Sequence, residues 1–176
     1  MMRTVLLAVI LGMPVLPLRA EPLTTGAALP NLHLHGETGG RLDGTPWNSS
    51  ELTERVHVLF YVDPDEKDLN EHVGNALKKE KFPGKAFGSV AIINMDATWK
   101  PAWLISKLLE AKQKQFPRTV YVKDLDRVLV RKWGLADDSY AVLAVAPDNT
   151  LLFKKDGKLS GDELDTLIAT IRRHLP

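Results

Sequence analysis

The sequence contains no cysteine, and that absence excludes more than any motif in the chain includes. A thiolate is the attacking species in disulfide exchange and in peroxide reduction, so the chain cannot supply the nucleophile for either reaction. Without cysteine there is also no disulfide and no sulfur for a lipid anchor, so the fold is expected to rest on its hydrophobic core. Charge of one sign is scarce too. The 23 Lys and Arg are balanced by 22 Asp and Glu, without the basic footprint of a nucleic-acid binder. The longest apolar run, residues 4–16, falls short of the roughly 20 residues of a membrane span. Neither a Gly-x-Ser-x-Gly nucleophile turn nor a phosphate-cradling glycine loop is present.

What is there begins with a leader pattern. Met1-Met2-Arg3 is positive, residues 4–16 are apolar, and Pro14, Pro17 and Leu18-Arg19-Ala20 follow. That is the order of a cleavable secretory signal. The expected organisation is a signal peptide at 1–20 and one exported domain at 21–176, with no membrane anchor after cleavage.

The domain reads as α/β. Asn31–His35 alternates like a short strand, with Gly40–Gly44 as a candidate hairpin partner. Val56–Val62 and Phe87–Asn94 are near-continuous apolar runs that suit strands buried on both faces. Between them, Asp63 at N-cap, Pro64 at N1 and Glu66 at N3 predict a helix from Asp63 to about Lys79, with Leu69, Val73, Ala76 and Leu77 inward. Residues 101–115 predict a helix whose apolar stripe is Trp103, Leu104, Leu108 and Ala111. A strand at 119–122 follows, then a stretch at 128–133 closed by Gly134 that reads as a short helix although its alternation also fits a strand, and then strands at 141–145 and 151–153. Ser160 and Glu163 form a capping box ahead of Leu164, Leu167, Ile168 and Ile171.

This order, with a β-α-β unit, an α-β insertion at 101–122 and a terminal β-β-α, resembles the thioredoxin plan with the insertion of peroxiredoxins and TlpA-like proteins. A closer likeness rests on four runs: Trp47–Leu52, Val56–Leu59, Ile93–Ala97 and Lys155–Ser160 leading to Asp162-Glu163. Together they resemble the YtfJ family of periplasmic, thioredoxin-like bacterial proteins. The resemblance implies a thioredoxin-like fold and a periplasmic address, and brings no defined activity or catalytic residue with it.

In enzymes of this plan the reactive cysteine follows the central strand, at a helix N-terminus that stabilises a thiolate. Here Asp63-Pro64-Asp65-Glu66-Lys67-Asp68 fills the place, so carboxylates held at low pKa by the helix end are expected. The proline that precedes the later strand in such enzymes is replaced by Asp138-Ser139-Tyr140. The leading expectation is a non-catalytic binding module meeting a periplasmic protein or small ligand. Its surface would lie in the loops beyond the strand ends: Asp63, Asp65, Glu66, Asn94, Asp96, Trp99, Ser139 and Tyr140, with Trp99 and Tyr140 as aromatic anchors. The competing expectation is a metal-binding or carboxylate-based enzyme using the acidic loop Asp63–Asp68 together with Asp96, although that loop lacks the glycine and distant glutamate of an EF-hand. His33 and His35 share one strand face without a third ligand nearby, His57 reads as a packed core residue, and Trp47, Trp103 and Trp133 read as core. No cofactor, metal ligand or catalytic residue is assigned.

Overall fold

The computed structural model describes residues 23–176; the leader expected at 1–20 lies outside the described residues. Eight strands and four α-helices follow in the order β1 (His33–Leu34), β2 (Gly39–Arg41), β3 (Trp47–Asn48), β4 (Val56–Val62), α1 (Glu71–Glu80), β5 (Phe87–Asn94), α2 (Ala102–Gln115), β6 (Thr119–Asp124), α3 (Val128–Trp133), β7 (Tyr140–Val145), β8 (Leu151–Asp156) and α4 (Gly161–His174). Six strands form one mixed sheet in the order β2-β6-β5-β4-β7-β8. β4, β5 and β6 run parallel, and β2, β7 and β8 pair antiparallel with their neighbours.

The centre of the sheet follows from composition. Every residue of β4 is buried, because a β-branched and aromatic run has no polar face to offer water. Val56, Val58, Phe60 and Val62 point to the face covered by α1, α2 and α4, while Leu59 and Tyr61 point to the other. That second face is closed by α3, Trp47, Trp133 and the segment holding Leu29, Leu32 and Leu34. The indole of Trp133 donates to the Pro30 carbonyl at 3.0 Å, and Asn149 donates to that of Leu29 at 2.8 Å, so the N-terminal segment is held to the core by polar bonds as well as packing.

Three expectations are corrected. First, β1 pairs with β3, His33 opposite Asn48 and Leu34 opposite Trp47. Gly39–Arg41 instead joins the edge of the main sheet beside β6. Second, α1 begins at Glu71 rather than Asp63. The backbone N–H of Asp63 donates to Ser139 O at 2.9 Å, and Glu66 to Asp63 O, Leu69 to Glu66 O and Glu71 to Asp68 O follow as separate turns. Asn70, buried at the junction, donates to Gly157 O and accepts from Leu159 N, both at 2.9 Å. These bonds commit the segment to β7 and to the turn before α4, and the helix starts only beyond them. Third, α2 buries Ile105 and Leu109, leaving Trp103 and Leu108 exposed. The α4 capping box forms as read, with Glu163 N donating to Ser160 Oγ at 3.2 Å and Ser160 N to Glu163 Oε2 at 2.8 Å.

Candidate functional site

The carboxyl ends of β4, β5 and β6 and the approach to β7 converge on one polar surface. Asn94, at the last position of β5, is buried and donates from Nδ2 to Asp137 Oδ1 at 2.9 Å. Asp137 also accepts from the Arg127 guanidinium at 2.6 Å. That guanidinium reaches back to Asp96, lying 2.8 Å from its carboxylate and donating to its backbone carbonyl at 2.8 Å. Arg127 can make this bridge because its backbone is left-handed, at φ 47°, which swings its side chain over the strand ends. On the other side, Lys100 pairs with Asp65. Two of the expected site carboxylates are therefore countered by cations that flank the insertion at 101–122.

Asp63 differs from them. It is buried, and its Oδ1 accepts from Asp65 N at 2.7 Å, closing a tight turn. Burial raises its carboxyl above the ordinary range, the nearby charges of Asp138, Glu66 and Asp137 raise it further, and Lys100 opposes them. The low pKa expected at a helix N-terminus is thus overturned: no helix starts here, and desolvation and like charge decide the sign.

Of the expected site residues, Asp65, Glu66, Asp96 and Trp99 are exposed, and Ser139 is half-buried with its carbonyl bound to Asp63 N. Tyr140 is buried and packs edge-on to Phe60, ring centroids 6.1 Å apart. It belongs to the core and is not a surface anchor, because the first residue of β7 points to the helix-covered face. Asp137 begins one of the strand-end loops expected to form the surface, whereas Arg127 and Lys100, which organise the site with it, were missed by sequence reasoning. Arg127 and Lys100 carried no signal beyond their charge, and charge alone does not reveal partners 31 and 35 residues away.

The acidic run does not gather. Asp65 is bound to Lys100 and Asp68 to Lys67, and among the described residues no group of three or more His, Asp or Glu side chains is placed to hold a metal. The exposed rings of His33, in β1, and His35, just beyond it, lie 4.7 Å apart at a tilt of 41°. Two surface grooves lie at the opposite, amino ends of the parallel strands, one flanked by Arg41, Gln113 and Arg118, the other by Glu54, Arg55 and Lys85.

This arrangement defines a thioredoxin-like protein in which turns and carboxylates occupy the place of the thiol. Solved structures of that class superpose over most of its length. A thiol peroxidase from Chromobacterium violaceum gives a TM-score of 0.63 at 12% identity, covering 90% of this chain and 91% of its own. A peroxiredoxin-like protein from Aquifex aeolicus gives 0.59 at 11% identity, covering 86% and 90%. Residues 34–174 match the family described as "Bacterial protein of unknown function (YtfJ_HI0045)", and the chain belongs to that family. It is 26% identical over 132 residues to the uncharacterized protein YtfJ of Escherichia coli (strain K12), covering 73% of this chain and 72% of that protein.

Proposed function

We propose that this chain is an exported, non-catalytic binding module that acts in the periplasm. The observation that carries the reading is a substitution of roles at the strand ends. Where the fold can hold an attacking thiolate, Asp63 is buried in a turn bonded to Ser139, and Asp65, Asp96 and Asp137 are tied to Lys100 and Arg127. Side chains spent on one another hold a surface in shape. Beside that fixed surface stands Trp99, 87% exposed, an aromatic anchor of the kind that dominates binding interfaces. The leader-like first twenty residues support the periplasmic address.

A photo-crosslinking residue at position 99, used in intact cells, tests the proposal. Capture of a periplasmic component, reduced when Arg127→Met loosens the Asp96 loop, is the expected result. Cytoplasmic adducts alone, or turnover of peroxide or disulfide by the purified chain, would refute it.

A further inference from the structure

Helix α2 carries two apolar stripes. Ile105 and Leu109 are buried against the sheet. Trp103, Leu104, Leu108 and Ala111 lie on the far side, where Trp103 is 68% and Leu108 49% exposed. With Trp99 in the lead-in, three of the four large apolar side chains exposed among the described residues sit on this one element. The helix also bears Lys107, Lys112 and Lys114 against a single acid, Glu110. At 100° per residue, Lys107, Lys114 and Glu110 fall on the Trp103 side of the stripe, leaving one net positive charge there, and Lys112 falls on the other. The acids near Trp99 are already countered within the protein, Asp65 by Lys100 and Asp96 by Arg127.

We infer that this face of α2 rests on an anionic phospholipid bilayer, the helix axis lying along the membrane plane; the inference rests on the reading of the chain as a binding module and names what its exposed aromatic face binds. Tryptophan suits the boundary between headgroups and acyl chains because its ring is apolar and its N–H polar. Lysine stems lie along apolar surface while their ammonium groups reach phosphate. Cations on both flanks of a convex stripe suit a laterally uniform sheet of negative charge, as on other interfacial helices. A second copy of the chain fits less well. The 14 residues of α2 span about 21 Å, one face of which covers far less than the roughly 800 Å² per partner of a stable interface. Two such helices would also oppose lysine to lysine.

The test uses the full chain with vesicles of phosphatidylglycerol and phosphatidylcholine, and with phosphatidylcholine alone. Trp47 and Trp133 are buried at 1% and 0% exposure, so a change in tryptophan emission on binding reports Trp99 and Trp103. A blue shift and co-sedimentation with the anionic vesicles are expected, with at least tenfold weaker binding to the neutral ones. The pairs Trp99→Ser with Trp103→Ser, and Lys107→Glu with Lys114→Glu, should each lose at least tenfold. Leu125→Ser, an exposed leucine away from the stripe, should bind like the parent. Residues 1–20 are present in every variant, so the differences read α2, and unchanged circular dichroism and thermal midpoints certify the fold. Failure of the parent to bind anionic vesicles, or equal binding by the paired variants, overturns the inference. So does self-association abolished by the tryptophan pair. Capture of an acidic protein through Trp99 without vesicle binding overturns it while leaving the binding-module reading in place. Turnover of peroxide or disulfide removes that reading whatever the vesicles show.

Discussion

The phenol of Tyr61, inside the central strand, donates to the buried carboxylate of Asp124 at the end of β6, 3.1 Å away. The same carboxylate accepts from the backbone N–H groups of Val128 at 2.9 Å and Leu129 at 3.0 Å. It therefore caps α3 and joins that helix to the sheet through one fully buried group. A carboxylate so deep is tolerable because donors surround it.

Asp124→Ala leaves those donors unpaired. A loss of about 3 kcal/mol in unfolding free energy is expected, against about 1 kcal/mol for Tyr61→Phe, which leaves Asp124 its backbone donors. Denaturant titration of both variants checks this. Equal costs would show that the phenol, not the helix cap, is the group that matters.

His57 predicts a dependence on pH. Burial, with the Arg55 charge adding to it, lowers its pKa to about 4, and Arg55 Nε donates to its Nε2 at 3.2 Å. Between about 4 and the ordinary 6.5, the unfolded chain binds the proton that the folded chain refuses. Stability from His57 is full above about 6.5 and falls as pH drops through about 4, by an amount on the order of 2 kcal/mol. Unfolding measured from pH 7 to pH 4 should show that slope, and His57→Gln should flatten it.

Asp63 carries the opposite sign. Its folded pKa is raised, so in the window just above the ordinary carboxyl value the folded chain binds the extra proton, and stability falls as pH rises through that window. Asp63→Asn keeps an Oδ1 acceptor for Asp65 N and removes the charge. It should stabilise the protein at pH 7 by at most about 1 kcal/mol. A destabilised Asp63→Asn would mean that the ionised carboxylate is favoured where it sits.

Gly39 tests the edge strand. It lies at φ 129°, and a Cβ there would fall 2.0 Å from the Lys123 carbonyl oxygen. Gly39→Ala must push β2 off β6, so faster amide exchange is expected at Val122–Asp124, together with a loss of about 2 kcal/mol. Gly161→Ala, where a Cβ meets nothing within 4 Å and the backbone is not left-handed, keeps the strand pairing and serves as the control.

Much of the frame was legible because local chemistry dictated it. β4 and β5 begin and end where the apolar runs do, and the Ser160–Glu163 box forms as its spacing requires. The loop after β4 was misread because Asp-Pro-x-Glu is a good helix start only when its backbone is free, and here it is bonded to β7. Tyr140 was misread as an anchor because nothing in Asp138-Ser139-Tyr140 says which face of β7 its first side chain takes. Of the candidate site, Trp99 and the acidic loop could be found by inspection. The clamp of Arg127 on Asp96 and Asp137 could not, since it depends on a left-handed backbone and on loops brought together by the sheet.

The amino-acid order alone determined that no thiol chemistry belongs to this chain and that two buried strands form its centre, since composition and run length settle both. Tertiary structure decided which side of α2 faces water. The helix has apolar residues on both sides, and burial goes to whichever side meets the sheet when α2 is laid against β6; Trp103 and Leu108 are on the other.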